Sequence, residues 1–301
     1  MKTNLLIKFA AILLMVSTLP LQSSSLENSL LWRISGNGLA TPSYLFGTHH
    51  LVAISFLDTV NGLREAFERT EQTVGELDMN NMAGMHLQMM QHALMPEGIT
   101  YESLLNDEDF ELLDNELSRF SGMGISMGRF KPAMLAQVIT LSIYQRYYPE
   151  VATGENIDFY FQQKARQRSR PVVGLETIED QIFALLKVNS IERQAELLMC
   201  LIRHPELLKS TLSRLHEAYF AHDINALYEL WAGDDTYNPC PSTDEEKNAL
   251  NKDRNLRWLE QLPAIMSEQS SFIAVGALHL PGEYGLIKGL RRLGFTVEAV
   301  L

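Results

Sequence analysis

Of the 301 residues, only Cys200 and Cys240 are cysteines. The sequence therefore has room for one disulfide at most, and on sequence alone two unpaired thiols are the alternative. Positive charge is also scarce, with 25 Lys and Arg against 37 Asp and Glu, a formal net charge of −12. That balance argues against nucleic acid, because a phosphate backbone is repelled rather than neutralised. No run of five like charges marks an interaction tail, and no low-complexity tract or Pro/Gly-rich linker divides the chain. Hydrophobic residues make up 46% of the chain, enough to rule out wholesale disorder and to bury a substantial core.

Long apolar runs are missing except at the start. MKTNLLIKFAAILLMVSTLPLQSSS carries Lys2 and Lys8, then an apolar stretch from Phe9 to Leu19, then Pro20 and the small residues Ser23 to Ser25. That order reads as a secretory signal peptide over residues 1–25, cleaved near Ser23–Ser25, although no A-x-A site is present. The apolar stretch is short for a bilayer span, which needs about 20 residues. No cysteine follows it to take a lipid. Retention as an uncleaved anchor is the alternative. The mature chain, with 23 basic residues against 37 acidic, carries −14. The expected product is periplasmic or secreted, with no stable membrane span after cleavage. There, oxidising conditions would allow Cys200 and Cys240 to pair.

Strand signals cluster towards the ends. LLWRIS (30–35) and SYLFGT (43–48) flank the turn-rich GNGLATP and predict a hairpin. TVGELD (73–78), PVVGLE (171–176), SFIAVGA (271–277) and FTVEAV (295–300) are further strands. Helical spacing dominates between them, over residues 102–120, 133–147, 156–168 and 177–188, and from Ile191 to Trp231 with a break at HPE. Residues 243–262 predict a helix that closes before Pro263. Strands alternating with helices predict an α/β (α+β) fold: a central mixed sheet from N- and C-terminal strands, with a large helical layer inserted between them. One domain, residues 26–301, follows the signal.

GTHHL at 47–51 and GALHL at 276–280 each follow an apolar strand. In such a sheet ligands bind beyond the carboxyl ends of the strands, so His50 and His279 can share a space there. Gly47 and Gly276 would permit a sharp turn or a close approach. Two converging imidazoles suit a divalent transition metal or an acid–base pair. A lone histidine at a strand end is more often a hydrogen-bonded loop residue; the duplicated setting raises the functional reading. His49 adjoins His50 but would point elsewhere in extended chain. Glu76 and Glu176 also close apolar strands, where an unpaired carboxylate is costly to bury, so each is a candidate ligand or general base. The alternative for either is a capping or surface carboxylate, and Thr177 beside Glu176 is of a type that caps helices. Arg254 could hold a carboxylate or steady an oxyanion, with Asn255 beside it, although a solvated helix-face arginine is the commoner outcome. The Met-rich HLQMMQHALM (86–95) reads mainly as adaptable core packing.

Seven segments in order carry a family resemblance: LWRISGNGLATPSYLFGTHHL, VGELD, KPAMLAQV, GENIDFYFQQKA, PVVGLETIEDQI, RNLRWLEQL and FIAVGALHLPGEYGLIKGLRRLGFTVEAV. Together they resemble the TraB/GumN/PrgY group, which is related to the Tiki metalloproteases. The resemblance places the motif histidines on His50 and His279, the strand-end acid on Glu76 and the Arg-Asn pair on Arg254 and Asn255. It implies a sheet organised like those of the erythromycin-esterase and ChaN-like haem-binding groups, that is, EreA/ChaN-like. It further implies a metal-dependent hydrolase, with peptidase activity attributed to the Tiki branch, where manganese or cobalt supports it. The leading expectation is an exported peptidase with His50, His279 and Glu76 on manganese, cobalt or zinc, Glu176 as a weaker candidate, and a peptide or protein as substrate. Where the family usually has tryptophan after Lys-Pro, this chain has Ala133. The alternative expectation, from a different class, is a non-catalytic periplasmic protein that sequesters a peptide, metal or haem.

Overall fold

The computed structural model describes residues 26–121, 124–149, 156–233 and 238–301. The proposed signal segment, and Gly154 and Glu155 of GENIDFYFQQKA, lie outside the described residues. All six predicted strands form, as β1 (Leu31–Ser35), β2 (Ser43–Thr48), β3 (Gln72–Gly75), β4 (Val172–Gly174), β5 (Ser271–Gly276) and β6 (Thr296–Ala299). They make one mixed sheet in the order β4-β3-β5-β2-β1-β6. β4, β3, β5 and β2 run parallel, whereas β1 pairs antiparallel with both β2 and β6. This is the expected α/β fold, with β1, β2, β5 and β6 from the two ends of the chain and β3 and β4 from within it, so that β4 divides the inserted helices.

The apolar runs that mark β2 and β5 are buried almost throughout, as expected of parallel strands covered on both faces. Leu45, Phe46, Phe272 and Ile273 form the centre of the sheet core with Trp32 and Trp258. A second apolar cluster belongs to the inserted helices. There Leu113 and Leu117 meet Leu135 and Ile139 of the helix Pro132–Tyr147, and Leu198 and Met199 of the helix Ile191–Arg203. Cys200 of that last helix is bonded to Cys240, so the pairing left open by the sequence is formed. The bond ties the helical layer to the segment leading into the helix Asp244–Lys247.

Two expectations are corrected. The helix does not close before Pro263; it runs Asp253–Glu268 with the proline inside. Proline in a helix interior costs about 3 kcal/mol, and burial of Leu259, Leu262 and Met266 along one face offsets it. The Met-rich stretch reaches the core only at its C-terminal end, where Met95 packs against the helical cluster. The helix Met82–Ala93 buries only Ala93, and Met82 and Leu87 are 49% and 60% exposed. Among the described residues no helix is long and apolar enough to cross a membrane.

Candidate functional site

The carboxyl ends of the four parallel strands lie side by side and each delivers a side chain. Glu76 follows β3 directly, Glu176 lies just past β4, His50 just past β2, and His279 ends the 3₁₀ turn Ala277–His279 after β5. β2 and β5 are neighbours in register, with Gly47 opposite Val275 and Thr48 opposite Gly276. This brings the two G-x-x-H segments together. Their glycines serve close approach. A Cβ on Gly47 would sit 3.0 Å from the Ala277 Cα, and one on Gly276 would sit 3.2 Å from Glu76 Oε1. Arg254 and Asn255 come from the first turn of the helix Asp253–Glu268. A π-helical turn, Asn248–Lys252, precedes it, a kind of irregularity often found at functional sites.

Arg254 is the hub. Its Nε and Nη2 donate to Glu176 at 2.9 and 2.6 Å, and Nη2 also donates to Glu76 Oε2 at 2.6 Å. Nη1 donates to the Leu250 carbonyl at 3.1 Å and to His279 Nε2 at 3.1 Å. A guanidinium has five N–H donors, and all five are engaged. Its plane lies over Trp258, 4.8 Å from the ring centroid. Burial opposes the Arg254 charge, but the bond to Glu176 and the charges of Glu76 and Glu176 more than offset it and raise its pKa. Burial likewise works against ionised Glu76. His279, Arg254 and His50 around it, with a 2.8 Å bond from the Gly276 N–H, outweigh that and hold the carboxyl at about 2.

The tautomer of His279 follows from its partners. Arginine can only donate, so Nε2 accepts and Nδ1–H donates to Asn255 Oδ1 at 2.7 Å. Burial, helped by Arg254 and His50, lowers its pKa to about 4 despite Glu76, so the ring is neutral. Asn255 is fully buried and also donates to the carbonyls of His279 and Tyr284. His50 is held the other way. Its Nδ1 lies 2.8 Å from Asp158 Oδ2, while Asp158 Oδ1 accepts from the Thr48 hydroxyl at 2.7 Å. The Asp158 charge raises the His50 pKa to about 9 against the pull of burial. His50 nevertheless keeps 58% of its side-chain surface open to the cleft. His49 borders the cleft too, but packs between Tyr144 and Tyr219, with ring centroids at 5.6 and 5.1 Å; burial lowers its pKa to about 4. Of the two adjacent histidines, His50 is the one whose charge is coupled to Glu76 and Arg254.

The cleft holds about 330 Å³ and is lined by His50, Glu76, Arg254, His279 and the Gly276 backbone, with Leu215, Tyr219 and Leu227 as its apolar side. Glu176 and Asn255 do not line it. They stand behind Arg254 and His279 as positioning residues, and the Thr177 side chain caps the next helix as expected. A roomier depression of about 500 Å³ around Leu94, Pro96, Tyr101 and Arg129 gathers no comparable acid–base set.

The donor set suits a divalent transition ion in kind. It comprises two imidazoles whose Nδ1 atoms are fixed by Asp158 and Asn255, as outer partners fix metal-ligating histidines, and one carboxylate. As arranged, however, Arg254 caps the His279 lone pair, and among the described residues no three of His, Cys, Asp and Glu are grouped as a ligand set.

Sequence reasoning singled out neither Asp158 nor Gln162. Gln162 accepts from the Met79 N–H at 2.8 Å and donates to the Leu77 carbonyl at 2.7 Å, which fixes the chain just after Glu76. Both lie on the helix Ile157–Gln167 and are buried alongside Ile157, Phe161 and Ala165. The available signal was a pair of polar residues spaced i, i+4 on an otherwise apolar face.

Comparison with known proteins gives a consistent picture. The profile of the TraB/PrgY/gumN family matches residues 30–299. The uncharacterised protein YbaP of Shigella flexneri is 26% identical over 255 residues, covering 83% of this chain and 88% of YbaP. Its Escherichia coli K12 counterpart is 26% identical over 254 residues, covering 82% and 87%. Metalloprotease TIKI2 of Danio rerio is 21% identical over 321 aligned positions, which take in 90% of this chain and 61% of TIKI2. No solved structure matches.

Proposed function

The chain belongs to the TraB/PrgY/gumN family, and from that premise and the geometry of its cleft we propose that it is an exported hydrolase, metal-dependent and acting on peptide bonds. One observation carries the reading. Two G-x-x-H histidines and a strand-end glutamate meet at the carboxyl edge of one sheet, with both imidazoles oriented through Nδ1 by buried partners. The likeness to a metalloprotease of Danio rerio supports it. The signal-like N-terminus and the Cys200–Cys240 bond favour an oxidising, extracytoplasmic setting.

His50, His279 and Glu76 would hold the ion. When bound, it supplies Lewis acidity and a water of lowered pKa. The rest falls to the protein's own groups. Asp158 orients the His50 ring, and Asn255 keeps the His279 proton on Nδ1. Glu176 takes two Arg254 donors and holds the guanidinium beside Glu76. Of the five donors, only the Nη1–H on His279 Nε2 is spent on neither a carboxylate nor a carbonyl. Released from the imidazole, it is free to meet a developing oxyanion. Leu215, Tyr219 and Leu227 keep one side of the cleft dry.

Equilibrium dialysis against manganese, cobalt or zinc tests the assignment. We expect about one ion per chain, lost in His50→Ala and His279→Ala; unchanged metal content in both variants would rule these ligands out. The closed arrangement of Arg254 on His279 is the observation that favours the second reading, a protein that retains its ligand without turnover. Retention of peptide or haem in stoichiometric amount with no products would decide for it.

A further inference from the structure

The helix Pro132–Tyr147 has an unusual distribution of apolar residues. Leu135 and Ile139 bury inwards, in the core of the helical layer. On another face Ala136, Thr140 and Leu141, spaced i, i+4 and i+5, line a groove with Leu212 and Leu215 of the helix Pro205–Phe220. A helix apolar on more than one face is normally buried all round, yet Leu141 is 37% exposed. The groove holds about 450 Å³ and runs out of the candidate site, sharing His49, His50, Leu51 and Leu215 with the cleft. No Asp, Glu, Lys or Arg lines it, and its only titratable groups besides Tyr144 are the two imidazoles at its inner end. The exposed Gln137 also lines it.

We propose that this groove is the subsite that receives a bulky apolar side chain of the substrate beside the bond attacked in the cleft. The substrate class is then a peptide with an uncharged aliphatic or aromatic residue, Leu, Met or Phe in type, at one fixed position from that bond. The inference rests on the hydrolase reading for the bond, but the groove's preference for apolar side chains stands on its lining alone. Small residues at Ala136 and Thr140 give the groove its depth, while Leu141 and Leu212 give it apolar walls. An acidic or basic side chain would be desolvated there without a partner, at a cost that selects against it.

The test uses the mature protein with two substitutions, Thr140→Phe to fill the groove and Leu141→Lys to charge its wall, and two readouts. In the first, a peptide series varied at one position among Phe, Leu, Ala, Ser and Asp is digested with manganese present. We expect the wild type to favour Phe or Leu over Ser and Asp by about 10-fold or more in kcat/KM, the scale on which an apolar pocket discriminates. Thr140→Phe should remove that advantage while leaving the Ala peptide within about 2-fold, and Leu141→Lys should shift preference towards Asp. In the second, fluorescence anisotropy follows a labelled Phe-containing peptide and its Asp counterpart without any turnover. Tighter binding of the Phe peptide, lost in Thr140→Phe, is the expected outcome. Cleavage or binding indifferent to the varied side chain, or equal loss for Ala and Phe peptides in Thr140→Phe, overturns the subsite. Absence of cleavage with the anisotropy preference intact overturns the hydrolase reading and leaves the groove standing. Matching thermal melts show that both variants are folded.

Discussion

Replacing Arg254 by methionine isolates what the guanidinium does for the buried carboxylates. Arg254 is 8% exposed, and the Glu76 and Glu176 side chains beside it are 10% and 1% exposed. Methionine keeps the length and apolar stem, so packing on Trp258 is largely preserved; what vanishes is the cation between two anions. Removing one partner of a buried ion pair costs about 3 to 5 kcal/mol, because the charge left behind is uncompensated. For a chain of this size each kcal/mol is worth roughly 2 to 4 °C, so Arg254→Met should melt roughly 6 to 20 °C below wild type. The pH dependence gives the sign. In the wild type, Glu76 sits at about 2 rather than the ordinary 4.5. Its contribution is therefore complete above 4.5 and is lost as pH falls towards 2. In the variant, burial of Glu76 is opposed by His279, His50 and the Gly276 N–H alone, so the carboxyl moves upwards. The penalty is then greatest at neutral pH and shrinks on acidification, as the carboxyl takes up a proton. Calorimetry with chelator at pH 7.5 and pH 5 reads both effects. A variant within 1 kcal/mol of wild type at pH 7.5, or a deficit no smaller at pH 5, refutes the reasoning.

Asn255→Leu should weaken metal binding or turnover by about 10- to 100-fold, since the partner fixing the His279 tautomer is lost; a metal titration checks it. Serine at both Cys200 and Cys240 opens a link between residues 40 apart in sequence, worth about 4 kcal/mol on the chain-entropy estimate, and urea midpoints should fall accordingly. Glu246→Gln removes the carboxylate that takes Arg193 Nε at 2.8 Å and Nη2 at 3.2 Å, and denaturation should show a loss of roughly 1 to 3 kcal/mol. Ala133 borders a pocket of about 210 Å³ walled by Ala184, Leu185, Val188, Leu197 and Leu250. Ala133→Trp should fill it and raise the melting temperature by the equivalent of about 0.5 to 2 kcal/mol.

The doubled G-x-x-H motif was the most legible feature of the sequence, because it joins a local pattern, strand then glycine then histidine, to a topological rule about strand ends. The same logic found Glu76 and Glu176 at the ends of β3 and β4. What it could not supply was the division of labour. Whether a carboxylate faces the cleft or stands behind an arginine depends on contacts between residues far apart in sequence, such as Arg254 with Glu176. Of the two roles the sequence allows Arg254, holding a carboxylate or steadying an oxyanion, the contacts with Glu76 and Glu176 display the first. Asp158 escaped notice because a single acidic residue in an amphipathic helix looks solvated until its place against His50 is known. Pro263 misled for the opposite reason: a strong local breaker was overridden by burial of its neighbours. The Met-rich helix shows that an apolar stretch need not reach the core when few elements pack over it.

The account's central claim is tested most directly by digesting a mixed peptide library with the mature protein in the presence of manganese, cobalt, zinc or chelator. Wild type should release products that require metal and disappear with chelator, and His279→Ala should release none while melting as the wild type does. Products that persist in chelator and in His279→Ala, or no products under any metal, would contradict it.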